Sequence, residues 1–321
     1  MRHPKPRVVF SRCLGFAHCR YNGNIIQEPA VEHLKPFVEI ETVCPEVEID
    51  LGIPRDPIRL IGDPENPRLV QPTTGLNVTD KMRSFTSERL GALDALDGFI
   101  LKSGSPSCGP REVKCYVNEK KGAASTKTRG MFGGAVVKRF PSCAIEDEGR
   151  LKNFDIRQHF LTRLFTRARF RGLQEAPSMK GLVAFHAQHK LLLMTYNQTK
   201  MRALGRVVAN PEKQPLDVLL ATYAKGLREA LGKAPRRVSA INVLMHALGY
   251  VSDSLSSAEK AFFLDSLEQY RNGHVPLSVP TSLVRSWIIR FEVGYLADQV
   301  YFEPYPPDLL EVLDSGKGRK L

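Results

Sequence analysis

The chain has 321 residues, which is long for a single core and favours two domains. Hydrophobic content of 42% and charged content of 25% are those of a globular protein, and no apolar run reaches the ~20 residues a membrane helix needs. The net charge is +12, divided unevenly: residues 1–150 carry 22 Lys/Arg against 19 Asp/Glu (+3), and residues 151–321 carry 24 against 15 (+9).

The start is basic, but Val8, Val9 and Phe10 run at once into Ser11 and Arg12. That apolar stretch is too short for a signal peptide, and the expected location is the cytoplasm. Arg7–Phe10 reads as a short strand. Phe37–Val43 alternates well enough for a second, ending at Cys44. Asp80–Leu96 has helical spacing with Asp80 as N-cap, and Gly98–Lys102 is a third strand leading into Ser103–Gly109. Pro141–Arg150, with its acidic run Glu146-Asp147-Glu148, reads as the link between domains. Beyond it, 153–171, 180–210, 216–231, 237–249, 256–272 and 282–301 have helical periodicity or composition, with Gly232, Gly249 and Gly273 as C-caps. The Gly-Lys-Gly-Arg-Lys tail reads as disordered. The expected fold is a Rossmann-like α/β domain over residues 1–145, followed by an all-α domain over 150–321.

All six cysteines lie at or before Cys143, and a cytoplasmic chain of this size argues against a disulfide framework. Three segments stand out: Ser11-Arg12-Cys13-Leu14-Gly15, Cys44-Pro45-Glu46 and Ser103-Gly104-Ser105-Pro106-Ser107-Cys108-Gly109. None is a C-x-x-C pair, so the usual zinc signature is absent. Each of these cysteines follows the carboxyl end of an expected strand, where open α/β sheets form ligand sites. Each also sits in a loop rich in Gly, Pro or Ser. Three thiolates at one sheet end would suit an iron–sulfur cluster, zinc or copper(I). Inert buried thiols are the alternative.

With Cys19-Arg20-Tyr21-Asn22-Gly23 and Gly52-Ile53-Pro54-Arg55, these segments resemble the thiouracil desulfidase (TudS) family over residues 7–145. The resemblance implies a [4Fe–4S] cluster on Cys13, Cys44 and Cys108, with one iron left open for the sulfur of a thiolated uracil. It also implies an acidic catalytic residue at Glu46 and a site serine at Ser105. Such a carboxylate could activate water or carry protons to the leaving sulfide; the alternative for Glu46 is a carboxylate at a helix N-terminus. Cys19, Cys115 and Cys143 are surplus, with Cys19 close enough to Cys13 in sequence to act as an alternative or transient sulfur ligand. The segment 115–140, with Lys120, Lys121, Lys127 and Arg129, lies outside the shared motifs.

The second half resembles the helical YbgA-type domain of unknown function. The resemblance is carried by Phe185-His186, His189-Lys190, Leu204-Gly205-Arg206, Gly249-Tyr250, Tyr270-Arg271 and Tyr295-Leu296. The pairing implies desulfuration of thiouridine in tRNA, with 4-thiouridine as the base. Its basic charge also suits a polyanionic partner. Arg157, Arg163, Arg167 and Arg171 fall near multiples of 3.6 and are the expected phosphate-tracking stripe, against the alternative of a solvated helix face. His186, His189, Lys190 and Arg206 join them as expected RNA contacts, although the two histidines read equally as core. Trp287 reads as core.

Two other functions compete with desulfuration: a non-catalytic RNA-binding module with structural cysteines, and a sulfurtransferase that thiolates tRNA. The second needs an activated sulfur source, and no Gly-x-x-x-x-Gly-Lys-[Ser/Thr] loop is present to supply an ATP site.

Overall fold

A computed structural model describes residues 3–310; the expected disordered tail lies outside them. The described residues divide into two compact units: Pro4–Ala168 with residues 306–310, and Arg169–Tyr305 with His3.

The first unit is built on a parallel sheet. Strands β1 (Arg7–Ser11), β2 (Glu39–Val43), β6 (Gly98–Leu101) and β9 (Ala144–Asp147) lie in the order β2-β1-β6-β9, all parallel. Crossovers run through α1 (Pro29–Leu34), α3 (Thr79–Ala92) and α4 (Met131–Arg139). Val8, Val9, Phe10 and all of β6 are buried, as continuous apolar runs in a covered parallel strand should be. Because the strands share a direction, their carboxyl ends all open on one edge of the sheet.

A second sheet inserts between β2 and β9. It consists of β3 (Arg59–Ile61), β4 (Arg68–Gln71), β5 (Leu76–Asn77), β7 (Val113–Tyr116) and β8 (Ser125–Thr128), in the order β5-β4-β3-β7-β8. Only the β3–β7 pair is parallel. A short α2 (Pro45–Glu48) follows β2 directly.

The stretch expected as the interdomain link is instead strand β9. Glu146, Asp147 and Glu148 are buried in this strand and just past its end, where the fold supplies partners: Arg111 and Arg150 pair with Glu146, Lys102 pairs with Glu148, and Asp147 accepts from the Arg150 N–H at 2.9 Å. The boundary between units falls later, inside α5 (Phe154–Glu175). Other boundaries also differ from expectation. Residues 35–37 form a 3₁₀ turn before β2, and α3 starts at Thr79 with Val78 at its cap, so Asp80 is an exposed first-turn carboxylate.

The second unit is helical: α6 (Met179–Ala209), α7 (Leu216–Ala230), α8 (Arg237–Gly249), α9 (Ser257–Arg271), α10 (Ser278–Arg290) and α11 (Gly294–Ala297). Its core joins Phe170, Phe185, Tyr223, Leu244, Phe263 and Trp287. The expected helix 180–210 breaks at Asn197, whose backbone leaves the helical region. The Asn197 side-chain oxygen then accepts from the Lys200 N–H at 3.0 Å and restarts the helix as an N-cap does. The expected helix 282–301 ends at Arg290, where Glu292 turns left-handed (φ 51°). Of the three expected capping glycines only Gly273 takes a positive φ (80°); Gly249 is the last helical residue of α8. Among the described residues no helix is long and apolar enough to cross a membrane.

His189, expected at an RNA surface, lies in this helical core at 1% exposure. Its Nδ1–H donates to the Phe185 carbonyl at 2.7 Å, and its ring stacks on Phe185 at 3.9 Å. Burial first, then the charges of Arg169 and His186, lower its pKa from the ordinary 6.5 to about 3. The ring is therefore held neutral while the unfolded chain takes up a proton below pH 6.5. Stability is fully present above that pH and is lost as pH falls toward 3, by about 2 kcal/mol at pH 5 from this residue alone. Urea midpoints across that range should fall less steeply for His189→Leu than for the unaltered chain.

Candidate functional site

Three loops bring the named cysteines to the carboxyl edge of the parallel sheet. Cys13 follows β1, Cys44 follows β2, and Cys108 closes the loop after β6. All three line one cavity of about 240 Å³, together with Cys19, Glu46, Arg55 and Ser105. All six cysteines are free and buried. Cys115 bonds toward the Gly62 carbonyl in the second sheet and Cys143 toward the Leu96 carbonyl, so both stand outside the cavity, as their lack of a shared motif suggested.

Cys19 is closer to the centre than sequence reasoning placed it. The Cys44 thiol donates to its carbonyl at 3.7 Å. The Cys13 contact, ahead of burial, pushes the Cys19 pKa up to about 11. Cys44 is raised further, by its contact with Cys19 and by burial. Burial also raises Cys108, against hydrogen bonds from Ser11 and Ser105 that favour its thiolate. Thiols so held remain protonated until a positive partner arrives.

Glu46 lies in the first turn of α2, yet it is Glu48 that serves the helix start. Glu48 Oε1 accepts from the Cys44 N–H at 3.1 Å and from Arg12 at 2.6 Å. Glu46 is held by other partners. Arg55 Nε and Nη2 approach its Oε2 at 2.9 and 2.7 Å, and the Ser107 hydroxyl donates to its Oε1 at 2.7 Å. Arg55 is itself anchored on the carbonyls of Gly52 and Cys19. Arg55 and the fully buried Ser107 are thus the positioning residues the sequence did not single out. Arg55 lay within a quoted motif, and its only signal was its nearness to Cys44-Pro45-Glu46. Ser105 Oγ accepts from the N–H groups of Ser107 (3.2 Å) and Cys108 (3.0 Å), bracing the loop that carries the third cysteine.

The arginines expected to track phosphate are mostly engaged inside the fold. Arg157 is buried and donates to the carbonyls of Leu151 (2.6 Å) and Lys152 (3.3 Å). Arg163 donates to the Cys143 carbonyl at 3.0 Å, and half-buried Arg167 lies beside Cys143. Arg171 is buried and paired with Glu175. Helical periodicity placed these side chains on one face, but that face packs. His186 is half-buried against the Tyr223 hydroxyl at 3.0 Å. Of the expected RNA contacts, only Lys190 and Arg206 are exposed.

The first unit is thus an α/β domain with a cysteine-lined cavity at the carboxyl edge of its parallel sheet. Comparison with known proteins finds similarity in both halves of the chain. Residues 8–148 match the family model described as 2-thiouracil desulfurase, and residues 190–306 match one described as a protein of unknown function (DUF1722). The two matches fall on separate stretches of the chain, one N-terminal and one C-terminal. The uncharacterized protein YbgA of Escherichia coli is 28% identical over 158 residues, 49% of this chain and 92% of that protein. The uncharacterized protein YbbK of Bacillus subtilis is 28% identical over 109 residues, 32% of this chain and 72% of that one. A solved structure of a [4Fe-4S]-dependent thiouracil desulfidase, TudS, is 27% identical; it covers 46% of this chain and 93% of that chain at a TM-score of 0.38.

The Cys108 loop is held against the start of α4 at glycine contact distance. A Cβ on Gly133 would lie 2.3 Å from the Cys108 carbonyl and 2.6 Å from that of Gly109, both backbone atoms. On Gly134 it would first meet the flexible Arg129 side chain, at 3.2 Å. Gly133→Ala should therefore cost about 1–3 kcal/mol of stability through overpacking. Gly134→Ala should be near neutral, since alanine favours the helix. Urea unfolding of both variants checks the contrast.

Proposed function

We propose that the chain is a desulfidase that removes sulfur from thiolated uracil, with 4-thiouridine in tRNA as its substrate, giving uridine and hydrogen sulfide. The observation that carries this reading is the arrival of Cys13, Cys44 and Cys108, from three separate loops, at one cavity that Glu46 also lines.

The donor set fits a [4Fe–4S] cluster better than a lone ion. Among the described residues no three His, Cys, Asp or Glu side chains converge to hold a single metal. A cluster spreads its thiolates over separate irons, so its ligands need only surround a shared volume. Cys13, Cys44 and Cys108 would hold it, and three protein ligands leave one iron open. When bound, the cluster supplies a Lewis acid for the substrate sulfur.

The remaining chemistry belongs to the chain. Glu46 takes a proton from the water that attacks the base carbon and returns it to the departing sulfide, so water's oxygen replaces sulfur with no net redox change. Arg55 fixes one carboxylate oxygen and Ser107 the other, which aims the group and leaves it little rotational freedom. Ser105 keeps the Cys108 loop in register. The tRNA part of the reading is supported by the net charge of +12, together with the second domain, which the desulfidation of a free base would not need.

Protein prepared without oxygen should contain about four irons and four sulfides per chain in visible-absorbing form. Replacing Cys13, Cys44 or Cys108 singly by Ala should abolish the iron, whereas Cys115→Ala and Cys143→Ala should keep it. Full iron in all of the first three variants would remove the cluster from the reading. Glu46→Ala should retain the iron while sulfide release from tRNA containing 4-thiouridine falls about 100-fold or more. Parallel loss of iron and turnover would make Glu46 structural.

A further inference from the structure

The first unit carries a second, larger hollow that the cysteine chemistry does not use. It is a cleft of about 1350 Å³ walled by the β3–β4 turn, α3, the end of β8 and α4. Small-molecule pockets run to roughly 1000 Å³, so this volume suits an extended ligand. Six cations line it (Arg83, Arg111, Lys127, Arg129, Lys138 and Arg139) against two carboxylates, Glu65 and Glu112. Arg83 is engaged by Asp80 and Asn66, Arg111 by Glu146, and Lys127 by Glu112. Arg129, Lys138 and Arg139 are exposed and have no carboxylate partner among the described residues. A trough with uncompensated cations along its wall concentrates positive potential and favours a polyanion.

The cleft also adjoins the cysteine cavity. Gly130 and Met131, which line it, donate their N–H groups to the carbonyls of Gly109 (2.8 Å) and Pro106 (3.0 Å). Pro106 and Cys108, on that same loop, line the cavity. The loop is thus a wall common to both hollows. By contrast, the arginine stripe of α5 is engaged by backbone carbonyls and Glu175.

We infer that this cleft seats the phosphate backbone of an RNA strand and so brings one nucleotide of that strand to the cysteine cavity. The inference rests on the thiouridine reading for its second part, but the binding it predicts is measured without turnover. It reassigns the main phosphate contacts from the helical half to the α/β unit, and in particular to the 115–140 segment and α4, which lie outside the recognisable motifs.

The test uses anaerobically prepared full-length protein and a fluorescein-labelled tRNA, with binding titrated across salt. Charge reversal at Arg129, Lys138 and Arg139 together should raise the Kd at least tenfold. It should also lower the log–log salt slope by about 2, at roughly 0.7 for each phosphate that is no longer neutralised. The milder triple replacement by Gln should give a smaller loss in the same direction, with an unchanged far-ultraviolet circular dichroism spectrum. Reversal of the exposed helical-unit pair, Lys190→Glu with Arg206→Glu, should change the Kd less than twofold. Unchanged affinity and slope in both triple variants would overturn the inference, as would a loss in the helical pair equal to that of the triple reversal. Sulfide release from tRNA containing 4-thiouridine by the unaltered protein is read alongside. Failure of the desulfidase reading then shows there, and failure of the cleft shows in the RNA titration.

Discussion

Three backbone hydrogen bonds connect the Ser105–Gly109 loop to the chain that begins α4: Gly130 N–H to Gly109 O, Met131 N–H to Pro106 O and Gly133 N–H to Ser107 O, all at 2.8–3.0 Å. Much of the molecule's functional geometry depends on this join. It satisfies carbonyls that would otherwise be orphaned in a buried loop, and it admits no Cβ on Gly130 or Gly133. It fixes the third cysteine and, through Ser107, one oxygen of Glu46. The same residues that hold the cavity from behind form the wall of the basic cleft, so one stretch of backbone shapes both hollows.

Three of the four cations that line the cavity are matched to carboxylates, while the fourth, Arg20, lies over the Tyr21 ring. The exposed cations of α4 have no such match among the described residues. Arg12 meets Glu48, Arg55 meets Glu46, and Lys102 meets Glu148. The Lys102–Glu148 pair is nearly enclosed, and Glu148 also accepts from the N–H and hydroxyl of Ser103. Those bonds hold its pKa below the usual carboxylate value against the penalty of burial, which is the largest influence on it. A buried carboxylate with this many donors fixes the start of the Cys108 loop as firmly as a packed side chain would.

The parallel sheet and the cysteine edge were legible in the sequence because both rest on local signals. Apolar runs mark the strands of a covered sheet, and loops rich in Gly, Pro and Ser mark the ends of β1, β2 and β6. The helical half was legible in outline for a similar reason, and its breaks at Asn197 and Glu292 were not, since each depends on one residue's backbone conformation. The second sheet was missed because its strands have only two to four residues and no sustained alternation. Strand β9 was misread as a linker because three acidic residues look solvated unless their partners are known, and Lys102, Arg111 and Arg150 are not recognisable as partners before folding. The α5 arginines failed in the opposite sense. Periodicity gives the face a residue occupies, but not whether neighbouring carbonyls of Leu151, Lys152 and Cys143 will claim it.

Cys13, Cys44 and Cys108 lie tens of residues apart, on loops that only the folded sheet brings together. A group bound to all three would act as a three-way cross-link, closing long loops that the unfolded chain otherwise leaves open. Occupancy of the cavity and persistence of the α/β fold would then be one equilibrium rather than two. Loss of such a group would then show first as a loss of abundance, because the emptied chain unfolds more often.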